Sequence, residues 1–76
     1  MSVFIIINEW TDRDGNVSSE PVAATYFTTE NEAHESLGYI AEAHDVELSP
    51  LDTSFVTEND PHLQFQEYYI QELTRG

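Results

Sequence analysis

The sequence of 76 residues contains no cysteine and no lysine. Without cysteine, the chain has neither a disulfide framework nor a thiolate metal site. Two arginines stand against fifteen aspartates and glutamates, which gives a formal net charge of -13. Because phosphate groups are bound by lysine and arginine, this charge argues against direct contact with nucleic acid or with an anionic membrane surface. It favours a basic protein as the partner.

Long apolar runs are also missing. The longest run, residues 3–7, has five residues, far short of the roughly 20 that span a bilayer. No basic segment precedes it, as a secretory signal would require. We therefore expect a soluble, cytoplasmic protein that makes no membrane contact.

The small size limits the class of protein. A chain this short forms one domain, here residues 1–76, and buries only about 60% of its unfolded surface. That leaves no room for a second layer with a catalytic cleft, so we do not expect an enzyme. Apolar residues make up 39% of the sequence, which is enough to build a core despite the charge.

The first part of the chain predicts a β-hairpin. Residues 3–10 are β-branched and aromatic, which is typical of a strand. Asp14 and Gly15 then predict a turn, because this pair adopts positive φ at low cost. A second strand is predicted at residues 22–28, with Pro21 at its entry, and it should pair antiparallel to the first.

A capping box predicts the start of a helix. Thr29 is followed three residues later by Glu32, whose backbone N–H the threonine hydroxyl can accept. We expect a helix over residues 30–44 with an apolar stripe on one face. The stripe consists of Ala33, Leu37, Ile40, Ala41 and His44. Gly38 lies in the middle of this helix, and we expect it to mark a close approach to a strand.

The remainder of the chain predicts two more strands. Residues 53–57 form a short strand between a loop at 45–51 and a turn at 58–61. Residues 63–73 fit a strand or, less well, a helix, and their aromatic content favours the strand. The predicted fold is α+β with the order β-β-α-β-β: an antiparallel sheet of three to four strands with one helix packed on one face.

The first strand is apolar on both faces, although one helix covers only one face of a sheet. One set of side chains comprises Val3, Ile5 and Ile7, and the other comprises Phe4, Ile6 and Trp10. Long loops, a second copy of the chain or a partner must cover the remaining face. We expect Phe4, Trp10 and Tyr68 to contribute to such a dimer or partner face.

The predicted helix also carries an acidic ridge. At 100° per residue, three glutamates lie within about 40° of the direction opposite Leu37. They are Glu32, Glu35 and Glu42, and Tyr39 lies among them. A solvated helix face is the ordinary interpretation, but such faces mix charges of both signs, and this ridge has no cation.

We therefore predict that the ridge binds a partner by imitating a phosphate backbone. Carboxylates accept bidentate arginine contacts as phosphates do. The predicted partner-binding residues are Glu30, Glu32, Glu35, Glu42, Asp45 and Glu47.

Other motifs that bear on chemistry are weak. Residues 12–16 resemble the opening of a calcium loop, but the sixth and twelfth positions hold Val17 and Ala23 in place of glycine and glutamate. A hairpin turn is the better interpretation. His34 and His44 are ten residues apart, which is not the i, i+4 spacing of a helical zinc pair. We predict no catalytic residue, no metal site and no cofactor.

Residues 3–7, 27–33 and 67–73 are similar to segments of short bacteriophage proteins with a β-β-α-β plan. The acidity, the absence of lysine and the single helix resemble the small DNA-mimic inhibitors that bacteriophages encode against restriction and CRISPR effectors. This resemblance implies a phage-borne protein that blocks the basic nucleic-acid-binding groove of a host defence complex, with CRISPR effectors as the first target class. It would act in the host cytoplasm.

Two other functions fit the same sequence. A small structural or assembly protein would self-associate, or bind a partner, through an apolar sheet face. A domain from a halophile would use its acidity for solubility in concentrated salt.

Overall fold

The computed structural model describes residues 2–22, 26–58 and 60–74. Its elements are β1 (Ser2–Asp12), β2 (Val17–Pro21), α1 (Glu30–Ala43), β3 (Ser54–Thr57) and β4 (Leu63–Thr74). The strands form one sheet in the order β2-β1-β4-β3, and every neighbouring pair is antiparallel. The predicted α+β fold is confirmed, and its sheet has four strands.

The two long strands, β1 and β4, form the centre of the sheet. They pair over their whole length, from Ser2 opposite Thr74 to Asp12 opposite Leu63. A central strand has a neighbour on each side, which helps to bury apolar side chains on both of its faces. The C-terminal segment that fitted either a strand or a helix is therefore a strand.

The second strand lies earlier in the chain than the predicted range 22–28. The preceding turn is tight, because the Asp12 N–H donates to the Asn16 carbonyl oxygen at 2.9 Å and Gly15 adopts a φ of 87°. As a result, β2 begins at Val17, directly opposite Thr11. All five residues of β2 are exposed, so the turn geometry sets this pairing more than burial does.

Among the described residues of the predicted second strand, one β-bridge is found. The Phe27 N–H donates to the Phe4 carbonyl oxygen at 2.7 Å, and the Phe4 N–H donates to the Phe27 carbonyl oxygen at 2.8 Å. Pro21, which has no N–H, is the last residue of β2 and not the entry to a strand. Residues 23–25 of the predicted strand lie outside the described residues.

The helix begins where the capping box predicts. Thr29 is the N-cap, and its hydroxyl oxygen accepts the Glu32 N–H at 3.2 Å. The buried stripe consists of Ala33, Leu37 and Ala41. The expectation for Gly38 is wrong, because a Cβ built on it meets no atom within 4 Å.

The core lies between α1 and one face of the sheet. Leu37 is fully buried and packs with the buried side chains of β1, β3 and β4. These are Ile6, Phe55 and Tyr68. The Phe55 and Tyr68 rings stack with their centroids 5.1 Å apart. Half-buried residues at the edge of this cluster are Phe27, Ile40, Val46, Leu48 and Ile70.

The register assigns each strand residue to one of two faces, since directly opposite residues share a face. Ile6 lies opposite Ile70, and Asn8 lies opposite Tyr68. Because Ile6 and Tyr68 belong to the core under α1, the even-numbered residues of β1 face the helix and the odd-numbered ones face away. The described residues contain one helix, and it packs against the even-numbered side.

Candidate functional site

The acidic helix face consists of Glu30, Glu32, Glu35 and Glu42 on α1, followed by Asp45 and Glu47 in the next loop. All six residues are exposed. Tyr39, which lies among them on the helix, is 66% exposed. Glu32, Glu35 and Glu42 therefore lie opposite the buried stripe, as predicted, whereas Glu30 is exposed at the start of the helix on the side of that stripe.

The spacing of these carboxylates can be compared with that of nucleic acid. Four glutamates lie on a helix of 14 residues, which is about 21 Å long. One charge per about 5 Å is below the density of a DNA duplex, about one per 1.7 Å, and nearer to that of one strand, about one per 3.4 Å. The carboxylates of the acidic helix face are therefore spaced more widely than the phosphates of either a single strand or a duplex.

The charges on this face are not compensated along the chain. No lysine or arginine occurs between residues 14 and 74, and the last turn of α1 has no basic residue. Glu30 and Glu32 lie in the first turn, where the helix dipole favours a negative charge. Glu42 lies near the opposite end, where the dipole disfavours it. Helix stability accounts for the first two positions but not for Glu42.

An open groove lies at the C-terminal end of α1. Its volume is about 680 Å³. It is lined by His44, Asp45, Val46, Val56, Thr57 and Glu58. Asp45 and Glu58 bring carboxylates from the helix end and from the end of β3, and the helix C-terminus adds the negative end of its dipole. The groove extends the acidic helix face towards the edge of the sheet.

The hairpin loop at Asp12 uses its carboxylate for its own backbone. Asp12 Oδ1 accepts the backbone N–H of Asp14 at 2.9 Å and that of Asn16 at 2.9 Å. The hydrogen bond from the Asn16 backbone is the main cause of a lowered Asp12 pKa. The loop is a hairpin turn, as predicted. Across the described residues, no group of three or more His, Asp or Glu side chains is placed to hold a metal ion.

The open sheet face is the side of the sheet that points away from α1. It is formed by the odd-numbered residues of β1 and by the residues that pair in register with them. Four large apolar side chains on this face are exposed. They are Val17 at 62%, Val56 at 51%, Leu73 at 43% and Phe65 at 38%.

The residues predicted to form a dimer or partner face lie on the other side. Trp10 and Phe4 are half-buried and have the same parity in β1 as Ile6, so they face α1. Tyr68 is 8% exposed and belongs to the core, which leaves it little surface for a partner. Sequence reasoning missed the exposed apolar residues of the open sheet face, because their placement depends on the register of β4.

The described part of the chain contains no helix long and apolar enough to cross a bilayer. No protein-family model, curated protein or solved structure matches this sequence.

Proposed function

We propose that this protein is a non-enzymatic inhibitor whose acidic helix face occupies a basic, nucleic-acid-binding groove on another protein. One observation carries the proposal. An ordered, capped helix exposes four glutamates with no lysine or arginine among them. Asp45 and Glu47 continue this surface beyond the helix.

The arrangement is unfavourable in the isolated protein. Glu32 and Glu35 are three residues apart, and like charges at this spacing destabilise a helix by a few tenths of a kcal/mol. The position of Glu42 adds to the repulsion. Arginines of a partner would remove it, because each guanidinium can bridge carboxylate oxygens in the bidentate geometry that it also uses with phosphate.

The proposed target is a host defence complex, with CRISPR effectors as the first class to test, as the resemblance to phage-borne DNA mimics implies. Such complexes hold nucleic acid in positively charged channels. The negative protein would enter one of these channels in place of a nucleic-acid strand. We place this action in the host cytoplasm.

The proposal is tested by capture and competition. The immobilised protein is exposed to bacterial lysate at low and at high salt, and competing duplex DNA is then added. We expect it to retain a nucleic-acid-binding complex at low salt and to release that complex on addition of DNA. Retention that neither DNA nor salt reverses would contradict the proposal.

Two double variants with the same change in net charge locate the contact. Glu35→Lys with Glu42→Lys reverses charges on α1, and we expect it to abolish capture. Asp14→Lys with Glu20→Lys reverses two exposed charges on the β1–β2 hairpin, and we expect it to retain capture. Equal losses in both variants would mean that net charge, and not the acidic helix face, determines binding.

A further inference from the structure

The open sheet face has a pair of glutamates at its centre. Glu9 of β1 lies directly opposite Glu67 of β4. The row that contains them continues to Ser19 on β2 and Val56 on β3. This row runs across the four strands, and the next positions on the same face, before and after it along the strands, hold apolar side chains. On one side are Ile7 and Tyr69, and on the other is Phe65.

The two glutamates are held close together by backbone pairing. The Val22 N–H donates to the Ile6 carbonyl oxygen at 2.9 Å, so the even-numbered residues of β1 hydrogen-bond towards β2. The odd-numbered ones, including Glu9, therefore hydrogen-bond towards β4. In such a pair the Cα atoms are about 5.5 Å apart, and like charges opposite each other are unfavourable.

This pair lacks the support that other half-buried carboxylates have. Four of the fifteen acidic residues are half-buried and the rest are exposed. Asp12 accepts backbone hydrogen bonds at 2.9 Å, and Asp60 Oδ1 accepts the His62 N–H at 2.8 Å. For the side-chain carboxylates of Glu9 and Glu67, no hydrogen bond or ion pair is found with any described residue.

The charges indicate what this face can bind. A second copy would bring another pair of glutamates and another net charge of -13 against the same face, and juxtaposed like charges strongly disfavour association. A cation between Glu9 and Glu67 would instead neutralise both carboxylates. Arginine suits this position best, since its planar guanidinium can bridge two carboxylates while its stem contacts apolar neighbours.

We propose that the open sheet face binds a partner protein through an apolar surface carrying one arginine, whose guanidinium lies between Glu9 and Glu67. The surrounding apolar side chains would be covered in the same contact. They include Val56 and Phe65, both exposed in the isolated chain. This proposal does not rest on the acidic helix face and uses the other side of the molecule.

The test uses two synthetic helical peptides as probes. Each is built of alanine and glutamine with leucines along one face, and the centre of that face holds arginine in one peptide and neutral citrulline in the other. Binding is measured by calorimetry, and the contact is mapped by chemical shifts of the isotope-labelled protein. We expect about tenfold tighter binding of the arginine peptide, the effect of a charge-assisted hydrogen bond, with shifts on odd-numbered residues of β1 and β4.

Two variants of equal net charge locate the cation. Glu9→Gln with Glu67→Gln removes the like-charge pair without changing shape, and we expect the preference for the arginine peptide to disappear. Glu35→Gln with Glu42→Gln removes the same charge from α1, and the preference should remain. The proposal is overturned if wild type binds the two peptides equally or binds neither. It is also overturned if the chemical-shift changes are confined to α1. The same holds if sedimentation shows that the protein alone forms a dimer that buries the open sheet face.

Discussion

Tyr68 is a core residue whose ionisation makes the stability of the fold depend on pH. Its ring stacks on Phe55 under α1, and burial of the phenol raises its pKa because the charged phenolate is disfavoured there. The sequence has no lysine and no cysteine. Lysine and cysteine side chains therefore make no contribution to the pH dependence of stability in the alkaline range.

We predict that Tyr68→Phe flattens the loss of stability at alkaline pH. In the unfolded chain Tyr68 ionises near its ordinary pKa of about 10, whereas the folded protein keeps it neutral to higher pH. Ionisation therefore favours the unfolded state as pH rises above about 10. The check is urea unfolding at several pH values. Tyr26→Phe, at a site that is 63% exposed, serves as the control and should follow wild type, and a parallel decline in all three proteins would contradict the prediction.

Gly38 offers a second prediction at the level of one residue. It lies inside α1, and an added Cβ meets no atom within 4 Å. Gly38→Ala should raise the free energy of unfolding by about 1 kcal/mol, the difference in helix propensity between the two residues. Chemical denaturation measures this change. A loss of stability would show that α1 approaches a neighbour more closely than described.

Among the elements, α1 depends on its first turn for a defined start. The Thr29 hydroxyl accepts the Glu32 N–H at 3.2 Å, which satisfies one of the unpaired donors at the helix N-terminus. The position of this cap determines where the buried stripe and the acidic helix face begin.

Removal of the cap should lower stability by a predictable amount. Thr29→Ala is expected to cost about 1 kcal/mol in unfolding free energy, while Thr29→Ser should retain most of it. Thr28→Ala, at the exposed preceding residue, is the matched control and should stay within about 0.5 kcal/mol of wild type. Equal effects at residues 28 and 29 would contradict the role of Thr29 as the cap.

The helix and β1 were predictable because their signals are local, whereas the composition of residues 63–73 only favoured a strand over a helix for β4. The capping box and the apolar stripe define α1, and the apolar residues 3–7 define β1. β2 was not predictable in this way, since the segment Val17–Pro21 is largely polar and fully exposed. It pairs with β1 because a tight turn precedes it. The segment 22–28 has the stronger strand composition, yet Phe27 makes only one bridge to Phe4 within the described residues.

The two surfaces differ in how far sequence could predict them. The acidic helix face follows from helical periodicity, so its outward direction could be read directly. The open sheet face depends on long-range register, which pairs Glu9 with Glu67 and Val3 with Leu73. No local pattern contains that information, and Trp10 was consequently expected on a surface that it does not share.

The whole molecule is thin and unevenly charged. It measures 38 × 27 × 19 Å, with α1 on one side and the open sheet face on the other. Apart from Asp12, which ends β1 and whose carboxylate accepts backbone hydrogen bonds within the hairpin turn, eight acidic residues lie in the helix and strands. Six are on the helix side: Glu20, Glu30, Glu32, Glu35, Glu42 and Glu72. Two, Glu9 and Glu67, are on the open sheet face. Four of these six, Glu30, Glu32, Glu35 and Glu42, lie on α1, which the proposed inhibitor uses to contact its target.

The salt dependence of the affinity for the captured nucleic-acid-binding complex tests the central claim most directly. Raising ionic strength from about 0.01 M to about 1 M shortens the Debye length from about 30 Å to about 3 Å. A contact between the acidic helix face and a basic groove should weaken steeply over this range, and Glu35→Lys with Glu42→Lys should already lack it at low salt. An affinity that is independent of salt and unchanged in that variant would contradict the account.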